Sequence, residues 1–475
     1  MLQISDLFFV YLFLPICLVL YYALRKPVYR NAVLIVFSLI FYAWGDTYWA
    51  LFLLPACAAV NFVTGRLLGK YKEGAAAKLT LAFAVIFNIG MLLVYKYTGF
   101  FIENLNTVTG ADLTVPEMAM PLGISFFSFS AISYNLDCFW DKIKPERNYF
   151  NFLMYLSLFA KIIAGPIVRY EHIQSEISVR RASVEDISTG ITRIVRGLAK
   201  KLIIADGLNS VVKTCFGTAS EGYSGISHLS VTGTLFGCIM VSLWYYFDFS
   251  GYSDIAIGIG RLFGFHFKEN FLFPFISRNI TEFWQRWHIS LGTFFRDYLL
   301  YVPLFGKRLP YVSLFIVWFS TGLWHGASWN YICWGLYYGL FILLEIKIGK
   351  KRMKKIPAVL THIYSKAVIF IGFGIFYFES MPKLGTFFKS LVGLNGNGFV
   401  DDISRTSFLN NIYLVLAAVI LSLPIGELVK KIAGENRARM TAVRTAGIAF
   451  NAILLVAASL MMVSSTSAPF LYARF

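Results

Sequence analysis

Long apolar runs separated by short polar links dominate the chain. The runs are continuous and do not alternate residue by residue, so they predict helices rather than the strands of a barrel. Runs at 7–24, 32–44, 48–64, 79–95, 231–247, 329–348, 367–378, 413–428 and 446–463 predict membrane-crossing helices. The second and third form a hairpin through a tight turn containing Gly45 and Asp46. The first starts within a few residues of the N-terminus and has no basic leader or small-residue cleavage site before Arg25. It reads as a retained helix, not a signal peptide.

Four stretches read differently. Residues 120–140 open with MPLGISFFSFSAISYNLD, where Pro121, Gly123 and four serines sit among aromatics. Such a sequence suits an interior or re-entrant element better than a lipid-facing one. Residues 151–164 are apolar but short, and 202–218 are a further candidate to enter the bilayer. Residues 171–201 carry both signs of charge and predict an amphipathic helix at the membrane surface. Residues 311–324 are apolar for roughly 20 Å of helix, against a hydrocarbon core of about 30 Å. That element should stop inside the membrane or enter where it is thin. The pattern as a whole predicts about eleven crossing helices plus re-entrant and interfacial pieces. No repeat or soluble domain interrupts it.

Composition agrees: 57% of residues are hydrophobic, 17% aromatic and 15% charged, where a soluble domain carries about 25% charged. The net charge of +17 does not point to nucleic acid, because the basic residues cluster in links between apolar runs. Links 25–30, 65–78, 349–357 and 430–444 are basic. The link after residue 95 carries Glu103, Asp112 and Glu117 against Lys96. The positive-inside rule then puts basic links in the cytoplasm and both chain termini outside it. Six scattered cysteines without a CxxC give neither a zinc site nor a disulfide framework. Gly258 and Gly260 lack the strand and spacing of a dinucleotide loop. No metal site is expected, nor any permanently bound cofactor.

Candidate chemistry concentrates in residues 279–338. His325 sits in GLWHGASW, with Trp324 before it, Gly322 and Gly326 around it, and Ser328 and Asn330 beyond. An ionisable residue at membrane depth is costly and suggests function; imidazole suits proton abstraction near neutral pH. A structural histidine bonded between helices is the alternative. His288 sits in FWQRWHISLGTFFRDY, preceded by Trp287. Arg286, Arg296 and Asp297 there could hold a phosphate- or pantetheine-bearing donor, or simply meet lipid headgroups. Working back from the basic run at 349–357, the His288 link is cytoplasmic and His325 lies at the far end of a short helix. In YYFDFSGYSDIAIG, Asp248 and Asp254 read either as support or tunnel lining for the site, or as part of a helix cap where Gly251 breaks the helix.

These residues resemble the membrane-bound O-acyltransferase (MBOAT) superfamily, in particular its bacterial alginate O-acetylation branch. The resemblance rests on YLFLP (11–15), SLIFYAWGD (38–46), PLGISFFSFSAISYNLD (121–137), AGPIVR (164–169), DFSGYSDIAIG (248–258), NITEFWQRWHISLGTFFRDY (279–298), TGLWHGASW (321–329) and an aromatic-Arg-Phe ending, all in order. It implies an all-α polytopic fold in a single domain over 1–475, with a ring of helices around a thinned centre and a tunnel. It implies that His325 is the superfamily's near-invariant histidine and His288 its second, more variable position. Departures are Phe275 for Tyr, Gln285 for Arg, Phe305-Gly306-Lys307-Arg308 in place of a Gly-Gly-Asn-Arg-like stretch, and FYFES (376–380) without an arginine.

The expected function is O-acetylation of an exported polysaccharide from a multi-pass position in the bacterial plasma membrane. Acetyl-CoA is the expected cytoplasmic donor, and an extracytoplasmic SGNH-type acetyltransferase or acceptor protein the expected partner. D-alanyl transfer to teichoic acid is the rival within the superfamily. A transporter or flippase is the rival outside it.

Overall fold

The structure is a computed structural model. It describes residues 3–45, 50–116, 118–302, 307, 309–464 and 470. Asp46 of the expected turn, Glu117, positions 305, 306 and 308 of the stretch that departs from the family pattern, and the tail after Phe470 lie outside the described residues. All regular elements among the described residues are helical, and their contacts group into two compact units.

Among the described residues, the first unit comprises those within 3–194 and 252–269. It holds α1 (Leu14–Ala23), α2 (Pro27–Gly45), α3 (Ala50–Tyr71), α4 (Ala75–Leu92), α5 (Thr98–Thr109), α6 (Ile124–Phe139), α7 (Tyr149–Ser157), α8 (Phe159–Ile162), α9 (Tyr170–Ser178) and most of α10 (Val184–Ala199). As the serine-rich sequence predicts, α6 is an interior helix: residues 124–135 are all buried, including all four serines. A polar clasp ties it to α3 and α4. Asn135 and Asn88 both donate to Asn61 Oδ1 at 2.8 Å, and Thr64 donates to Asn135 Oδ1 at 2.8 Å. Such bonds hold helices together where lipid offers no competing partner. The expected amphipathic stretch divides into α9 and α10. Arg193 of α10 pairs with Asp254 at 2.7 Å and with Glu269.

Among the described residues, the second unit comprises those within 195–251 and 270–470. It contains α11 (Asp206–Phe216), most of α12 (Val231–Leu262), α13 (Ile280–Arg286), α14 (Ile289–Phe295), α15 (Pro310–His325), α16 (Trp329–Ile348), α17 (Lys350–Met353), α18 (Ala358–Tyr377), α19 (Met381–Leu391), α20 (Asp402–Asn410), α21 (Ile412–Leu421), α22 (Ile425–Ala433) and α23 (Arg437–Ser464).

Several expectations are corrected. Gly251 does not break its helix: α12 continues for 32 residues, so Asp254 is not a cap. A Cβ at Gly251 would lie 2.9 Å from the carbonyl oxygen of Gly197. The glycine thus serves close packing, which sequence alone does not separate from helix breaking. The expected span at 413–428 ends at Leu421, because Pro424 cannot donate a helical N–H. Together α20 and α21 form a pair bent by 71°. The spans expected at 367–378 and 446–463 begin earlier, at Ala358 and Arg437. Six helices among the described residues are long and apolar enough to cross a membrane, seven with the bent pair, and Phe9–Ala23 is a shorter apolar helix.

The element expected to be short is short. At 16 residues, α15 spans about 24 Å. It packs backbone to backbone on α16: a Cβ at Gly335 would lie 2.3 Å from the Trp318 carbonyl oxygen, and one at Gly322 2.3 Å from that of Tyr331. Larger residues at either position would separate the two helices.

Candidate active site

His325 is the last residue of α15, so the helix end fixes where its ring can reach. The ring is buried, 3% exposed, among three aromatics. Ring centroids lie at 4.9 Å for Trp324, 4.8 Å for Trp334 on α16 and 5.1 Å for Phe376 on α18. The start of α16 is pinned to the end of α18. Asn330 donates to the Phe376 carbonyl at 3.1 Å, Ser328 to the Glu379 carbonyl at 3.1 Å and the Tyr331 hydroxyl to the Glu379 carboxylate at 2.9 Å. Ser328 therefore supports the loop after His325 rather than touching the ring.

His288 stands between α13 and α14 with φ of +44°. This left-handed conformation costs an L-residue roughly 1–2 kcal/mol, so the surroundings must hold it. They do so through Asn270. The Asn270 Oδ1 accepts the Ser290 N–H at 3.1 Å and the Ser290 hydroxyl at 2.9 Å. An atom that accepts a backbone N–H is the amide oxygen, so His288 Nδ1, 3.2 Å away, must donate to it. The neutral ring then carries its lone pair on Nε2. Burial pushes the His288 pKa down to about 3, so the ring is neutral at physiological pH. Phe249 packs edge-on at 4.6 Å.

The Trp324 indole joins the two histidines. It lies 6.0 Å from the His288 ring and 4.9 Å from the His325 ring. The structure thus brings two residues 37 positions apart to the same aromatic side chain. Trp287 packs in an aromatic cluster with Phe373 at 4.8 Å and Phe271 at 5.1 Å.

The other singled-out residues have different partners. Asp248 is buried and pairs with Lys201 at 2.7 Å; Lys201 also reaches Asp206 at 2.9 Å. Asp254 belongs to the first unit, where Arg193 holds it. Arg286 donates to Glu282 at 3.1 Å and to the Leu272 carbonyl at 3.1 Å. Arg296 pairs with its neighbour Asp297 at 2.7 Å. The described contacts of these two guanidinium groups are with carboxylates and a carbonyl, not with either histidine.

Two supporting residues escape sequence reading. Asn270 carries no signal at all. Glu345 carries one: it is an acid within the apolar α16. Its carboxylate accepts the N–H groups of Ile280 at 2.6 Å and Thr281 at 2.9 Å, the Thr281 hydroxyl at 2.6 Å and the Tyr364 hydroxyl at 3.1 Å. It therefore holds the start of α13, the helix that leads into His288.

A sequence profile described as "MBOAT, membrane-bound O-acyltransferase family" matches residues 37–381. The chain belongs to the membrane-bound O-acyltransferase family. The MBOAT match takes in both histidines and the aromatic cage. The chain is 33% identical to the probable alginate O-acetylase AlgI of Pseudomonas aeruginosa, over 88% of this chain and 80% of that protein. It is 29% identical to a peptidoglycan O-acetyltransferase of Helicobacter pylori, over 82% of this chain and 79% of that protein. It is 28% identical to a teichoic acid D-alanyltransferase of Bacillus subtilis, over 55% of this chain and 69% of that protein. With its apolar helices, this makes the chain a multi-pass membrane O-acetyltransferase.

Proposed function

We propose that this MBOAT protein takes an acetyl group from acetyl-CoA in the cytoplasm and passes it across the bacterial plasma membrane, for O-acetylation of an exported polysaccharide of alginate type. An extracytoplasmic SGNH-type acetyltransferase or acceptor protein completes delivery. The observation that carries this reading is the pair of buried histidines that both neighbour Trp324, His325 being the last residue of a helix too short to cross a bilayer comfortably.

The roles follow from the chemistry. His325 accepts the proton of the acceptor hydroxyl as that oxygen attacks the thioester carbonyl. The carbon–sulfur bond breaks, and the thiolate leaves and is protonated. Relay through an acetyl group held on the His325 ring is the other route open to the same residue. His288 belongs to donor entry, its Nε2 oriented by Asn270. The His288 link, with Arg286 and Arg296, draws the phosphate-bearing donor to that side. Exclusion of bulk water by the aromatic cage favours transfer to the hydroxyl over hydrolysis, and alignment of the two reactants supplies much of the rate.

D-alanyl transfer is supported less well, because the D-alanyltransferase match covers a smaller share of this chain than the alginate O-acetylase match. A flippase without chemistry would have no use for a caged imidazole. His325→Ala is expected to lower acetylation of the polymer by about 10²–10⁴-fold, the usual worth of a general base, with protein level and membrane insertion unchanged. Acetylation at the wild-type level in that variant would remove His325 from the reaction. Release of CoA by the purified protein, dependent on acceptor and lost in the same variant, separates the enzyme from a flippase.

A further inference from the structure

We infer that the second unit carries a binding site for an anionic phospholipid, on the membrane surface that holds the basic run 349–357. A groove of about 830 Å³ is lined by Phe275, Ile276, Arg278, Glu282, His362 and Leu423. It is separate from the histidine cage, and none of its residues figures in the acetyl-transfer reading.

Its polar wall suits a phosphate. The described hydrogen bonds of Arg278 and His362 outside the helical backbone pattern are made by main-chain atoms: the Arg278 N–H donates to Glu282, and the His362 carbonyl accepts from Ser365. Among the described residues, neither side chain has an ion pair or hydrogen bond. The Glu282 carboxylate would repel an anion, but Arg286 already compensates it at 3.1 Å. The Lys366 ammonium lies 2.7 Å from the Ser277 carbonyl, next to Arg278. Of these charges Arg278 and Glu282 line the groove; with Arg286 on Glu282 and Lys366 beside Ser277, the surroundings carry a net positive charge. Charge-assisted bonds to phosphate are the strong class of hydrogen bond.

The rest of the groove decides which phosphate. Phe275, Ile276 and Leu423 form an apolar wall. On the helix that carries His362, Val359, Leu360 and Ile363 are exposed. Two residues after Leu423 begins α22, whose large apolar residues Leu428, Val429 and Ile432 are also exposed. At 100° per residue these fall on one side of α22, with Glu427, Lys430 and Lys431 on the other. Such a helix lies in a membrane surface, its basic side toward headgroups. A soluble phosphate would engage Arg278 and His362 and leave the apolar wall bare. A phospholipid covers both, its phosphate on the cations and an acyl chain along Leu423 and Ile363.

The test is native mass spectrometry of the full chain purified in detergent and supplied with phosphatidylglycerol or phosphatidylcholine. Phosphatidylglycerol should be retained in preference to phosphatidylcholine. Its retention should fall about tenfold in the Arg278→Gln/His362→Gln variant, the loss expected for charged phosphate contacts. Arg278→Lys, which keeps the charge, should recover part of it, and the unfolding temperature in lipid-free detergent should not change. Equal retention of the two lipids, or undiminished retention in the double variant, would overturn the site. Displacement of phosphatidylglycerol by adenosine 3′,5′-diphosphate would assign the groove to a soluble nucleotide and overturn the lipid.

Discussion

Glu345→Ala removes the carboxylate that holds the start of α13. Four donors converge on it at 2.6–3.1 Å, two of them main-chain N–H groups at Ile280 and Thr281. Ile280 is fully buried and Thr281 partly so. A hydroxyl can rotate to another acceptor; a main-chain N–H at a packed helix start cannot. A buried donor left without an acceptor costs about 1–3 kcal/mol. Loss of both N–H contacts, with the electrostatic support of a carboxylate at a helix start, should destabilise the second unit by about 3–5 kcal/mol. Glu345→Gln keeps one carbonyl oxygen for one N–H, and its amide opposes the other, so its cost should be about 1–3 kcal/mol. The order wild type, Gln, Ala should appear in denaturant unfolding in one detergent. Acetyl transfer should fall in the same order, because α13 leads directly into the strained His288. An alanine variant within about 0.5 kcal/mol of wild type, with wild-type transfer, would refute the claim that α16 positions the His288 segment.

Two further outcomes are expected. Lys201→Met strips Asp248 and Asp206 of their shared cation and should cost about 3–5 kcal/mol, whereas Lys201→Met/Asp248→Leu should recover much of that loss, since replacing a buried ion pair by apolar residues is often neutral; a double variant no more stable than the single one would contradict this account of the pair. A thiol placed after Lys355 should be labelled by an impermeant reagent only from the cytoplasmic side, and labelling from outside would overturn the proposed orientation and the sides given to the two histidines.

The histidines were legible in the sequence because a polar residue in an apolar stretch is expensive and therefore conspicuous. The serines of α6 were legible for the same reason, and the composition of that run correctly indicated an interior element. Glu345 gave the same signal, yet no local pattern tells which backbone an acid will satisfy. Its donors lie 64 and 65 positions away. Asn270 gave no signal, since an asparagine in a polar link is ordinary until its amide oxygen is seen to fix a ring 18 positions later. Gly251 was misread because the lack of a side chain breaks some helices and brings others into close contact, and only the facing Gly197 carbonyl decides between them.

The sequence by itself determined the helical membrane class, the unusual shortness of α15 and the two histidines as candidate chemistry. Those properties follow from hydrophobicity and length, which are local. Tertiary structure alone decided that Trp324 neighbours both histidines, that Asn270 sets the His288 tautomer, and that Lys201 pairs with Asp248. These depend on which distant side chains share a small buried space, and packing across helices sets that arrangement.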